Sequence, residues 1–194
     1  MKAKMNNLSM PRIFTFEMHQ DDPEKCTSAK MRKMGFAKGI ARQHFPRNAL
    51  VLNPTVDNIV LNADRESLVQ IGVVVIDCSW TRAGEVFGQR FKGLQRRLPA
   101  LLAGNPTNYS KLGSLSSVEA VSACFYITNF KDQARRILSI YKWGETFLSL
   151  NHDPLEDYSK ASSIKEIRES EISYFPYLAL SPLQSGSGNS ARCL

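Results

Sequence analysis

The stretch Ile71-Gly-Val-Val-Val-Ile-Asp-Cys-Ser-Trp80 decides the fold. Its β-branched apolar run reads as a strand buried on both faces, which is the signature of a parallel sheet. The run stops abruptly at an acid, a thiol, a hydroxyl and an indole. In open α/β sheets ligands sit just outside the carboxyl ends of such strands. Asp77 and Trp80 are therefore delivered to the place where a cofactor or substrate is held. The plainer alternative is a core strand followed by an ordinary turn.

Outward from that strand, the first half alternates strands with short helices. Arg12–Met18 alternates as a strand, and a short helix opened at Pro23 or Thr27 runs to Met34 and stops at Gly35. Ala49–Asn53 reads as a second strand closed by Pro54, and Asn58–Asn62 as a short third one. Asp64 is placed to cap a helix from Arg65 to Ile71. After Trp80 no strand pattern is visible. Ser116-Ser-Val-Glu119 and Ser163-Ile-Lys-Glu166 are capping boxes, each leading an amphipathic helix. The expected architecture is an α/β domain over 12–97 and an all-helical domain over 98–180. A flexible N-terminus (1–11) and a disordered Ser/Gly-rich tail (181–194) flank them.

Composition bounds the function. With 194 residues, 43% hydrophobic and 22% charged, the chain can bury a real core. It carries no apolar run of membrane-spanning length and no signal-peptide pattern, so a cytoplasmic location is expected. Four widely spaced cysteines suggest neither a zinc site nor a disulfide framework, and no metal is expected. His19 near Asp21 and Asp22 reads as a polar loop. Sixteen Lys and Arg face nine acids in residues 1–97, whereas nine face nine in 98–194, so the whole excess of +7 lies in the first half. Such a one-sided field suits a polyanion such as RNA or DNA, because each neutralised phosphate releases counterions. A solvated basic face with no partner is the alternative. Neither a glycine-rich nucleotide loop nor a known hydrolase signature occurs.

A series of short motifs completes the reading. In order they are Asp22-Pro23-x-x-Cys26-Thr27, Leu52-Asn-Pro54, Ile76-Asp-Cys-Ser-Trp80 and Arg96-x-Leu98-Pro99. Asn105-Pro106-x-Asn108-Tyr109, Leu115-Ser-x-Val-Glu119-Ala120 and Lys142-Trp143-Gly144-x-x-Phe147-x-x-x-Asn151 follow. The series resembles the small-subunit (16S/18S) ribosomal RNA aminocarboxypropyltransferases from about Arg12 to Tyr158. The resemblance implies an N-terminal domain similar to the SPOUT methyltransferases, with a trefoil knot, followed by a helical domain. It implies transfer of the 3-amino-3-carboxypropyl group of S-adenosylmethionine to a 1-methylpseudouridine, with release of 5′-methylthioadenosine.

Carried over residue by residue, Leu52, Pro54 and Trp80 would pack around adenosine and the sulfonium methyl. Ile76 would offer its carbonyl to the ribose. Leu98 and Gly113 would bind the adenine edge through backbone, with Ser117 as a further polar contact. Thr27 would hold the methionine carboxylate. Where the family carries a bulky aromatic this chain has Gly113, and where it favours glycine this chain has Ser110. Asp77 would accept the acceptor's ring proton, or else set the turn. Trp80, against the methyl, would direct attack to the other arm. Lys25, Lys30 and Arg96 would contact phosphates of the rRNA or a pre-ribosomal particle. A monomer, with no membrane partner, is expected. Competing readings are an RNA methyltransferase of the SPOUT type and a non-catalytic RNA-binding assembly factor.

Overall fold

A computed structural model describes residues 11–18 and 26–180. His19, Asp21, Asp22, Pro23, Lys25, residues 1–10 of the expected loose N-terminus and the tail from Ser181 lie outside the described residues. Five strands form one sheet: β1 (Ile13–Glu17), β2 (Ala37–Gly39), β3 (Leu50–Leu52), β4 (Val73–Asp77) and β5 (Leu94–Arg96), in the order β2-β1-β4-β3-β5. Every pairing is parallel, and Val74 of β4 aligns with Phe14 of β1 and Val51 of β3. The strand quoted first is thus the centre of the sheet.

Both faces of β4 are covered, as its unbroken apolar run requires. Val73 and Val75 join one core cluster with Leu50, Leu52 and Met31, while Val74 and Ile76 join another with Phe45, Val51, Val86 and Phe87. Gly72 enters the strand at φ +115°, where a Cβ would come within 2.3 Å of the Arg12 carbonyl oxygen, so no side chain fits. Eight helices accompany the sheet among the described residues. In the first half these are α1 (Thr27–Lys33), α2 (Arg65–Gln70) and α3 (Ala83–Phe87). The rest are α4 (Ser117–Ile127), α5 (Lys131–Leu138), α6 (Gly144–Leu150), α7 (His152–Lys160) and α8 (Ile164–Tyr174), with a 3-10 turn at Pro176–Leu180.

The expected all-helical C-terminal domain is not a separate body. The fold is one α/β unit, and the helical half is the layer that closes one face of the sheet. One continuous cluster joins Ile13, Leu50 and Val73 to Val118, Phe125, Ile137, Tyr158 and Ile167. Helix α4 shows why: every residue in it except Ala120 is buried, because it lies between β4 and the pair α5 and α7. A helix buried all round belongs at the centre of a core. Its amphipathic neighbours then cover α4 and not a core of their own.

Three local expectations also change. β5 is a strand after Trp80, hidden in sequence because its three residues Leu-Gln-Arg carry only one apolar side chain. Residues 58–62 make one isolated bridge, Ile59 with Arg97, and no strand. Asp64 does not cap α2 through its side chain; its carboxylate accepts from Leu61 N at 3.0 Å and pairs with Arg96.

Candidate active site

A cavity of about 1500 Å³ opens at the carboxyl end of the sheet. Its walls come from the ends of β3, β4 and α3, the segment after β5, the starts of α1 and α4, the segment between α5 and α6, and α8 with the 3-10 turn after it. Nine of the sequence-expected positions line it together: Thr27, Leu52, Pro54, Ile76, Asp77, Trp80, Leu98, Gly113 and Ser117. Lys30 lines it too.

At the centre stands Asp77, held by side chains distant in sequence. Ser117 Oγ donates to its Oδ1 at 2.5 Å, and Cys26 Sγ donates to its Oδ2 at 3.0 Å. Cys26 caps α1, accepting from Ala29 N at 3.3 Å, so the thiol joins the helix start to the acid. Burial pushes the Cys26 thiol up, and a hydrogen bond to Asp77 adds to the rise, so it stays protonated as the donor. These bonds span 51 and 40 residues and fasten three elements together. Ser117 is engaged by Asp77. Thr27 is engaged on both sides, its hydroxyl accepting from Val118 N at 3.4 Å and its carbonyl from the Tyr141 hydroxyl at 2.9 Å.

Trp80 closes the cavity beside Asp77. Its indole N–H donates to the Leu115 carbonyl at 3.2 Å, which fixes the ring plane. Leu52, Pro54 and Leu98 supply further apolar wall on that side. The loop from Leu98 to Ser116 forms the rim, and three buried polar groups from the helical half pin it. Glu119 is fully buried; its Oε1 accepts from Gly104 N at 2.7 Å and Asn105 N at 2.9 Å. Its Oε2 takes the Asn105 amide, Ser116 N and Ser116 Oγ, each at 2.7 Å. Asn151 pairs with both the N–H and the carbonyl of Leu102 at 2.8 Å. Glu171 receives Arg97 in a bidentate pair at 2.8 and 3.0 Å and also Ala100 N at 2.8 Å. Asn105 and Asn108 therefore serve the loop, as turn stabilisers do: Asn105 Oδ1 accepts from Asn108 N at 3.0 Å.

Inside that loop Ser110 sits at φ +62° and Gly113 at φ +73°. A left-handed serine is strained, which gives a physical reason for a glycine preference at 110. Arg96, expected to contact phosphate, is part-buried at the end of β5. It lies outside the cavity lining, and its guanidinium is committed to Asp64 at 3.2 Å. Its neighbour Arg97 does face the cavity, paired with Glu171, and Arg168 of α8 lines it too. Arg32 with Glu17 and Arg82 with Glu85 are likewise paired, which leaves the net excess unchanged but engages these particular cations within the fold.

The sequence reading assigned no site role to Cys26, Tyr141 or Trp143. All three line the cavity. Their signal was present in the Cys26-Thr27 and Lys142-Trp143-Gly144 motifs, but only contact across the fold gives it meaning. The residues suit a nucleoside with a charged amino-acid arm: an apolar slot on one side, and a carboxylate, hydroxyls and an indole face for a cation at the centre. Among the described residues no group of three or more His, Cys, Asp or Glu side chains is arranged to hold a metal. None of their helices is long and apolar enough to cross a membrane.

Known proteins share this construction. The family model described as "Ribosome biogenesis protein, C-terminal" matches residues 50–175. The 16S rRNA aminocarboxypropyltransferase of Methanocaldococcus jannaschii is 42% identical over 164 residues, covering 84% of this chain and 95% of the relative. The protein of the same name from Thermoplasma acidophilum is 44% identical over 163 residues, covering 84% and 98%. The solved structure of the SAM-dependent rRNA:acp-transferase from Vulcanisaeta distributa superposes with a TM-score of 0.78. It is 36% identical, with 89% of this chain and all of that one covered.

Proposed function

The chain belongs to the 16S rRNA aminocarboxypropyltransferase family, and from that premise we propose how its residues carry out S-adenosylmethionine-dependent transfer to small-subunit ribosomal RNA. The reaction moves the 3-amino-3-carboxypropyl group to the ring nitrogen of a 1-methylpseudouridine and releases 5′-methylthioadenosine. The observation that carries this reading is the cavity at the strand ends. There an apolar slot and a clamped carboxylate adjoin on the central strand.

Leu52, Pro54 and Leu98 form the slot for adenosine, with backbone at Ile76, Leu98 and Gly113 for the ribose and adenine edges. Thr27, at the start of α1, faces the amino-acid arm. When bound, S-adenosylmethionine supplies a carbon activated by positive sulfur, and the C–S electrons return to sulfur as the N–C bond forms. Trp80 packs the methyl away from the acceptor, so that the aminocarboxypropyl arm faces it; this is orientation control of a bimolecular step. Asp77 accepts the proton of the ring N–H as that nitrogen attacks. Ser117 and Cys26 fix the rotamer of Asp77, leaving it lone-pair capacity to receive that proton. Lys30 at the cavity mouth meets a phosphate of the RNA. The protein acts as a cytoplasmic monomer, the helical layer covering the sheet face that would otherwise need a partner.

Transfer is tested by incubating the protein with small-subunit rRNA and S-adenosylmethionine labelled separately on the methyl and on the carboxyl carbon. Carboxyl label enters the RNA and methyl label does not. The reverse result would make the protein a methyltransferase, and label in neither form would make it a binding factor.

A further inference from the structure

The cavity is larger than one small ligand needs: about 1500 Å³, against roughly 300–1,000 Å³ for ordinary single-ligand pockets. Its two sides differ. Beyond the ends of β3 and β5 the walls are Leu52, Pro54 and Leu98, already assigned to the nucleoside. On the other side, toward α1, stand two aromatic residues that no function above uses. Tyr141 and Trp143 have ring centroids 4.9 Å apart at 38°. Both are half-buried, both pack against the main core and both line the cavity, so each offers it surface that the core does not cover.

Their placement is built in. The Tyr141 hydroxyl donates to Thr27 O at 2.9 Å, fastening the pair to the start of α1. The turn carrying them is fixed by Tyr141 N to Leu138 O at 2.9 Å and Gly144 N to Tyr141 O at 3.0 Å. Gly144 allows that turn, since a Cβ there would lie 2.2 Å from the Leu138 carbonyl oxygen. Burial pushes the Tyr141 phenol up, and nearby Cys26 and Asp77 add to the rise. Lys30 Nζ lies 4.3 Å from the Tyr141 ring centroid and is exposed.

We propose that Trp143, backed by Tyr141, is the stacking platform for the acceptor base of the RNA, with Lys30, which lies over the Tyr141 ring, reaching the adjoining phosphate. This rests on the RNA-transferase reading. A base stacked in RNA does not present its ring nitrogen to a cavity, so it has to be extruded and held, and aromatic faces are the usual support. Displacement at carbon runs in line with the breaking bond. With the nucleoside on the β3 side, the nucleophile enters from the side where these rings stand.

The chain contains two tryptophans, and they make the test direct. In a Trp80→Phe protein, Trp143 is the only indole. Titration with a single-stranded small-subunit rRNA oligonucleotide containing 1-methylpseudouridine, without S-adenosylmethionine, quenches its fluorescence at the concentrations where anisotropy reports binding. Independently, Trp143→Leu raises the Kd and KM for RNA about tenfold or more. It leaves S-adenosylmethionine affinity by calorimetry within about twofold, and Trp143→Phe recovers most of the RNA affinity. An unquenched Trp143, unchanged RNA affinity in Trp143→Leu, or equal loss of both ligands overturns the platform. If the unmodified protein transfers carboxyl label while these results fail, the platform alone is wrong. If it transfers none, the underlying reading is wrong.

Discussion

Two carboxylates beside the start of α4 have opposite fates. Glu119 is fully buried and accepts five hydrogen bonds, among them three backbone N–H groups, so its capacity is used up. Asp77 lines an open cavity and holds two side-chain donors, one per oxygen. Glu119 is therefore a fastener of the rim loop, and Asp77 is a positioned group with room for one more partner. Burial and saturation, more than residue type, separate the structural acid from the one that can do chemistry.

The sharpest way to break this contrast is to neutralise each acid in turn. Asp77→Asn keeps the fold and S-adenosylmethionine binding while lowering the rate of transfer by about 10²–10⁴-fold, the range for loss of a general base. Single-turnover kinetics with calorimetry checks it, and an unchanged rate would return Asp77 to a structural role. Glu119→Gln does the converse. It leaves buried N–H donors facing an amide and costs about 3 kcal/mol of stability, read from urea unfolding. Arg96→Glu, which sets like charges together against Asp64, belongs with Glu119: it destabilises by about 3 kcal/mol, and any loss of RNA affinity follows unfolding.

A smaller effect probes the strained rim. Ser110→Gly removes the left-handed penalty and stabilises by about 1 kcal/mol, seen as a higher unfolding midpoint. The acid limb of the stability curve isolates a third carboxylate. Glu156 is held down to about 2 from an ordinary 4.5, first by the hydrogen bond from Lys131 and then by that from Tyr126. Because its folded value is depressed, its contribution is present above pH 4.5 and fades as pH falls toward 2. Glu156→Gln flattens stability against pH in that window.

How much of this was legible beforehand follows from range. β4 and its polar end could be read because five consecutive residues and their sharp stop are local facts, and the helix starts at Ser116 and Ser163 for the same reason. β2 and β5 could not: each is three residues long at a sheet edge, too short for a period to show. The two-domain expectation failed because helical spacing reveals an apolar face but not what covers it. Glu119 was visible as a cap for its own helix, whereas its grip on Gly104 and Asn105 is tertiary. The donors to Asp77, at positions 26 and 117, meet it only once α1 and α4 pack over the same strand end. Arg96 and Arg97 looked alike in sequence; alternation sends one to Asp64 and the other to Glu171.

The central claim is that a cavity at the carboxyl end of β4 transfers the aminocarboxypropyl arm and not the methyl group. Mass spectrometry of the small-molecule product after reaction with small-subunit rRNA tests it most directly. 5′-Methylthioadenosine accumulating in step with modified RNA is the predicted result. S-adenosylhomocysteine in its place would contradict the account.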